Sequence, residues 1–378
     1  MLAWCIDGLI GIPLALTLSA LSAQYPDAGG AAAYASRAFG GAVGAAVGWL
    51  YFVGAAVGQT VVPLTGAHYL AAAAGWGQAA TVAIAAAILA VSVTANVVGL
   101  KFSGWLQIVV AAGIVLVLVT ATAAAIPDFE ADAFTPFAPH GWGAVGEAAV
   151  LLFFAFFGWE AITHLSAEFR DPRRDVPLAT MITVVIVTTL YLGIAVAVVA
   201  TRTYGNATLD RTSVAHLLGD AIGVGAERAA AAAALLITLA TYNAFVAATS
   251  RLGYALGRDR ALPPALGRLD RRGIPVTATG IVGLIAAGGL GLAYLYDLGA
   301  EDFLIVPTTA VIVVYVVAMA AGVRLLRRGR RLLAVVGIVP LAVMLPFVGR
   351  ELVIPAAVAA AAILYWLTLG PERHRAAA

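Results

Sequence analysis

The chain has 378 residues, 62% hydrophobic and 11% charged, with a mean hydropathy of +0.97 and a formal net charge of +2. Soluble domains carry about 25% charged residues, so too little polar surface exists here to cover a water-exposed globule. That excludes an ordinary soluble enzyme, a disordered chain and a nucleic-acid binder, and the lone Cys5 excludes a disulfide framework or a cysteine-rich metal site.

A helix crossing the ~30 Å hydrocarbon layer needs about 20 mainly apolar residues. The first such run covers roughly 2–24. From Ala38 to Leu100 there is no Asp, Glu, Lys or Arg, a length that fits two spans divided near Gly75-Trp76-Gly77. Further runs occupy 102–126, 144–168, 178–200, 226–252, 275–296, 303–323, 332–348 and 352–370, giving eleven candidate helices. The runs are continuous and rich in Ala, Leu and Val, so a β-barrel, with its alternating segments of about ten residues, fits poorly. The abundant Gly and Ala suit close helix packing in lipid.

Arginine placement sets the expected orientation. Basic loops lie at Arg170 to Arg174, Arg251 to Arg272 and Arg324 to Arg331, with Arg373 and Arg375 in the tail. The opposite loops hold Asp128, Glu130 and Asp132, then Asp297, Glu301 and Asp302. Arg202, Arg211 and Arg228 are exceptions, partly balanced in sequence by Asp210, Asp220 and Glu227. The expectation is a multi-pass protein of the cell membrane with a cytoplasmic C-terminus. Eleven crossings then put Met1 outside. The first run has no basic n-region or cleavage site, so it does not read as a signal peptide. A chain lacking one N-terminal helix is therefore expected; the alternative is an eleven-helix protein with an exterior N-terminus.

The most informative stretch is Leu151 to His164, where Gly158 and Glu160 interrupt an aromatic run. An ionisable group within a span is costly and points to function. Glu160 precedes Glu168 by eight residues, about 12 Å along a helix. A helix broken around Phe156 to Trp159 frees backbone carbonyls and amides, which lipid tolerates only where they line a cavity or bind something. Half-helix ends and free carbonyls suit a zwitterion such as an amino acid. A straight helix with aromatic packing is the other reading.

Three stretches carry a resemblance. They are Tyr25-Pro26-Asp27-Ala28-Gly29-Gly30 with Gly48-Trp49, Glu168 to Pro177, and Ser250 to Pro263 with Gly273-Ile274-Pro275. In this order, at successive basic helix ends, they resemble the amino acid–polyamine–organocation (APC) superfamily of permeases. Ala161 to Phe169 and Arg331 to Gly337 resemble its subgroup of methionine and branched-chain amino acid exporters. The resemblance implies an all-α integral membrane fold of the LeuT-like inverted-repeat type, here the family's helices 2–12 as one permease domain over 1–378. It further implies that the family's first helix, with its own break, is absent.

It also implies site residues. The break in the family's sixth helix falls on Phe153, Phe154, Ala155, Phe156, Phe157 and Gly158, which would contact substrate. Phe154 matches a gating aromatic, and Glu160 an acidic position linked to gating or proton coupling. His164, one turn beyond Glu160, would relay a proton or make a structural bond. Asn243 would face the cavity or bond a neighbouring helix, and Gln59 and Thr60 carry the same two readings. Glu168, Arg170, Asp171, Arg173 and Arg174, with Asp175, would form inner-gate ion pairs or stay solvated. Run 102–126 has no lysine, a departure from relatives that use one in place of a coupling sodium.

The five histidines show no metal-ligand spacing, and no Walker loop or dinucleotide fingerprint occurs. No cofactor is implied; the expected partners are a neutral amino acid, protons and the lipid bilayer, with no nucleic acid. The expected function is proton-linked efflux of neutral, apolar amino acids by alternating access. Uptake or exchange by a related permease is the near alternative. A membrane enzyme built on Asp128, Glu130 and Asp132 lacks a second catalytic group. An inactive fragment or noncatalytic membrane partner is the remaining alternative.

Overall fold

The computed structural model describes residues 1–25, 29–99, 104–136, 138, 140–158 and 171–369. Its regular elements are helical: α1 (Leu2–Gln24), α2 (Gly30–Phe39), α3 (Gly41–Ala74), α4 (Gln78–Val98), α5 (Gly104–Ala125), α6 (Gly141–Leu152) and α7 (Pro172–Ala200). After these come α8 (Ala207–Ile222), α9 (Val224–Arg258), α10 (Val276–Tyr296), α11 (Ile305–Leu325), α12 (Arg328–Val348) and α13 (Val353–Leu369). Among the described residues nine stretches are long and apolar enough to cross a membrane. The last of them, Arg328–Leu369, is divided by a 3-10 turn at Gly349–Leu352 into α12 and α13. With α6, which covers the first part of run 144–168, each of the eleven apolar runs has a helix in it.

The differences lie between the runs. α2 and α8 are short helices of mixed polarity that join spans, so run length did not reveal them. Gly40, at φ 98, separates α2 from α3 inside what reads as one apolar run. α3 ends where Gly75 adopts the left-handed conformation and its N–H returns to Ala71 and Ala72, which is the division expected near Gly75-Trp76-Gly77.

α3, with 34 residues, is about 51 Å long. It exceeds the hydrocarbon thickness, so it must tilt or project. It is the hub of the molecule, packing against α2, α4, α9, α10, α11 and α13. Close approach to α9 depends on a missing side chain: a Cβ on Gly66 would stand 2.4 Å from the Thr238 hydroxyl oxygen. On the other side α1 packs against α6, α7, α11 and α12. One core is shared by α1, α3, α6, α11 and α12, with Leu14, Leu18, Leu50, Phe153, Ile312, Tyr315 and Leu341 buried in it. A second joins α3, α4, α9 and α10 around Leu64, Ile88, Val246 and Leu290.

Charged residues tie the two ends. Arg202, beyond α7, donates to Glu130 at 2.8 Å and Asp132 at 3.1 Å, and Arg211 of α8 pairs with Glu301. The acidic loops thus neutralise these two arginines across the fold. Asp210, the neighbour that balances them in sequence, instead accepts from the Gly205 N–H. At the opposite end Arg272 binds Asp270 at 2.9 Å and donates to the carbonyls of Val97 and Val98, which close α4.

Candidate functional site

The α-helical ladder of α6 stops at Leu152. A 3-10 turn covers Phe153–Phe156, Phe157 turns to extended backbone (φ -67, ψ 121), and Gly158 takes φ 123. In its described part, Phe153 to Gly158, the expected interruption departs from the α-helix, and it begins earlier than Phe156; Trp159 lies outside the described residues. Gly158 is required by its backbone, because φ 123 is a conformation side-chain-bearing residues resist, while a Cβ there would meet nothing within 4 Å.

A helix that ends within the apolar layer leaves carbonyls to be satisfied. The structure provides three donors. The Phe157 N–H bonds the Phe154 carbonyl at 3.0 Å. The Tyr191 hydroxyl, from α7, donates to Ala155 O at 3.2 Å, and the Tyr315 hydroxyl, from α11, donates to Phe156 O at 3.3 Å. Helix C-termini carry partial negative charge, and at this end of α6 it is met by hydroxyls of two tyrosines from different helices.

The four phenylalanines divide by face. Phe153 and Phe156 are buried and touch Tyr315 and Tyr191 respectively. Phe154 and Phe157 are half-buried and stack on each other, 6.0 Å between centroids. Phe157 also stacks on Tyr51 of α3 at 5.3 Å and meets Phe245 of α9 edge-on at 5.9 Å. Gly58, two turns along α3 from Tyr51, lies against the Phe154 ring. Phe154, Phe157, Tyr51 and Phe245 therefore form an aromatic box beside the break, with no charged side chain among these described residues.

Asn243 is buried, and its side-chain oxygen accepts from Asn96 of α4 at 3.0 Å. Its position is about 200° around α9 from Phe245, so the interhelical bond is the alternative the structure displays. Gln59 likewise donates to Thr249 of α9 at 3.0 Å, and Thr60 reaches the Ala286 carbonyl of α10. Glu160, His164, Glu168 and Arg170 lie outside the described residues. Arg173 is described in its backbone alone, within the first turn of α7. Asp171 and Arg174 are exposed, and the Asp175 carboxylate accepts from the Asp171 N–H at 3.3 Å.

Sequence reasoning missed Tyr51, Tyr191, Phe245 and Tyr315. The two hydroxyl donors had a signal, since a buried tyrosine within a span usually finds a partner for its O–H. It also missed Asp7, an acid within run 2–24 that meets the criterion applied to Glu160. Asp7 is 0% exposed, and neither carboxylate oxygen has a partner among the described residues. Away from the apolar layer, Asp132, with Glu130 beside it, raises the Arg202 pKa above its ordinary value. The backbone N–H of Ile274, ahead of the bonds from Arg272, holds Asp270 below 3.8.

Comparison with known proteins bears on a break of this kind. The family model described as amino acid permease matches residues 1–369. The chain belongs to the amino acid permease family. It is 34% identical to the amino acid permease YecA of Bacillus subtilis, over 99% of this chain and 89% of the relative. It is 29% identical to the L-methionine/branched-chain amino acid exporter YjeH of Escherichia coli, over 92% of this chain and 83% of that protein. The aromatic amino acid transport protein AroP of Salmonella typhi is 23% identical, over 88% of this chain and 75% of its own length. These are transporters rather than enzymes, so the chain is read as a multi-pass amino acid permease.

Proposed function

We propose that this permease is a secondary carrier of neutral, apolar amino acids of the methionine and branched-chain kind, exporting them in exchange for protons by alternating access. The observation that carries the reading is the α6 break, where a carbonyl-rich helix end adjoins an uncharged aromatic box. The helix end suits a substrate ammonium; the box suits an apolar side chain, and its described residues offer no counter-charge to a lysine or glutamate. Likeness to YjeH supports the substrate class.

In this reading Phe154 and Phe157 close over the substrate and exclude water, as lids do. Glu160 contributes to proton coupling with His164 as its neighbour, and Glu168, Arg170, Asp171, Arg173 and Arg174 form the inner gate. The protein sits in the cell membrane with its arginine-rich end and C-terminus in the cytoplasm.

The test is efflux of labelled methionine and leucine from cells producing the protein, with and without an uncoupler. The expected result is faster efflux than from cells lacking the protein, slowed by the uncoupler. Efflux equal in the two cell types would overturn the reading, and uncoupler-insensitive efflux would remove the proton link.

A further inference from the structure

The buried acid on α1 has a specific setting. Three contacts press its helix face onto α7 and the break. The Trp4 ring lies 5.3 Å from that of Tyr191. A Cβ on Gly8 would stand 3.0 Å from the Thr188 methyl, and one on Gly11 would stand 3.0 Å from the Phe156 ring. Asp7 lies within about 40° of Gly11 around the helix, and about 20° on its other side comes Leu14, which points into the apolar core. The carboxyl group is thus enclosed between the break and that core. The Thr188 hydroxyl, at the same level of α7, is also buried and unpartnered among the described residues.

A carboxylate charge without counter-ion or donor is strongly disfavoured in such surroundings, so in this conformation the group is the neutral acid. No described side chain supplies a compensating positive charge. Tyr191 of α7 and Tyr315 of α11 already donate to carbonyls of the break, and Glu147 of α6 is exposed. The Met1 amino group lies six residues back, about 9 Å of helix. The described charged residues of α7, α11 and α12 are confined to the ends of those helices.

We propose that Asp7 is a proton-carrying residue of the transport cycle, neutral while α1 is closed on the α6 break and ionised when the two part. This rests on the carrier reading above. When movement at the break admits water to Asp7, its O–H bond breaks and the proton passes to water; reclosure requires a proton taken back from water before the charge is enclosed again. Because the contacts at Trp4, Gly8 and Gly11 join α1 to Tyr191, Thr188 and Phe156, the break cannot rearrange without altering the surroundings of Asp7.

The experiment uses the full chain in proteoliposomes with radiolabelled leucine. Counterflow at equal pH reports the carrier; accumulation driven by a pH gradient reports coupling. Wild type is expected to do both. Asp7→Asn, which matches the neutral acid in size, keeps counterflow within about threefold and loses gradient-driven accumulation. Asp7→Glu keeps accumulation but displaces the pH midpoint of counterflow. Gradient-driven accumulation by Asp7→Asn at the wild-type level overturns the proposal. If that variant does not fold, an Asp7→Glu pH profile superimposable on wild type does so instead. Wild-type protein that shows no counterflow removes the carrier reading, and this inference with it.

Discussion

The hydroxyl of Tyr191 donates to the carbonyl of Ala155 across 3.2 Å, though 36 residues separate them in sequence. Tyr315, from a third helix, does the same for Phe156. The interruption of α6 is therefore an assembled joint, and its carbonyls have donors before any substrate arrives. Removing one hydroxyl takes a donor away from a buried carbonyl, at about 1 kcal/mol. Tyr315→Phe should lower the thermal unfolding midpoint in detergent by that equivalent and weaken leucine binding severalfold. An unchanged midpoint together with unchanged binding would mean that the bond holds nothing in place.

Gly158 separates backbone need from space. Gly158→Ala should cost about 1–3 kcal/mol, because φ 123 is strained for alanine, and should depress flux. Gly143→Ala, at an open site within α6, is the control: it gains helix propensity of up to about 1 kcal/mol and should leave flux near wild type. Equal losses in both variants would dissociate the effect from the break.

The two aromatic faces call for opposite phenotypes. Phe153→Ala empties a buried core position and should destabilise by roughly 3–5 kcal/mol. Phe154→Ala, at a half-buried position, should cost less stability while impairing occlusion and raising the apparent KM for leucine. Thermal unfolding and uptake kinetics on the same preparations decide the matter; the reverse ranking would contradict the division.

Glu160→Gln should insert normally but flatten the pH dependence of methionine and leucine flux. Flux that follows pH as in wild type would take Glu160 out of the coupling role.

At the basic end the prediction concerns pH. The folded Asp270 carboxyl titrates below its ordinary 3.8, mainly through the Ile274 N–H. A depressed folded pKa means that the contribution is complete above about pH 4 and is lost as pH falls through the folded value. Asp270→Asn should therefore be less heat-stable than wild type at pH 7, with the difference closing below about pH 4. A difference that did not shrink at all as pH fell below about 4 would assign the effect to something other than ionisation.

The spans were legible because an uncharged run of about 20 residues leaves the chain little choice in lipid. The break was legible through Gly158 and Glu160, which sit badly in an unbroken apolar helix. Its true onset at Phe153 was not, because a change from i→i+4 to i→i+3 bonding leaves no mark on composition. Tyr191 and Tyr315 are tied to the break by contacts 36 and 159 residues apart in sequence, and no local pattern records such pairings. The arginine pairs at the acidic end went the same way: sequence offered Asp210, Asp220 and Glu227 as nearby balancing charge, while the fold brought Glu301 to Arg211. Asp7 was within reach, since the test applied to Glu160 applied equally to it.

The alternation along Phe153, Phe154, Phe156 and Phe157 also bears on how such a permease diversifies. Two rings are committed to the interior and tolerate little change, while Phe154 and Phe157 are only half-buried, Phe157 at the margin of the same core. Exchange of the half-buried pair for larger, smaller or polar groups would reshape the aromatic box while leaving the buried pair, and the tyrosine bonds to Ala155 and Phe156, in place.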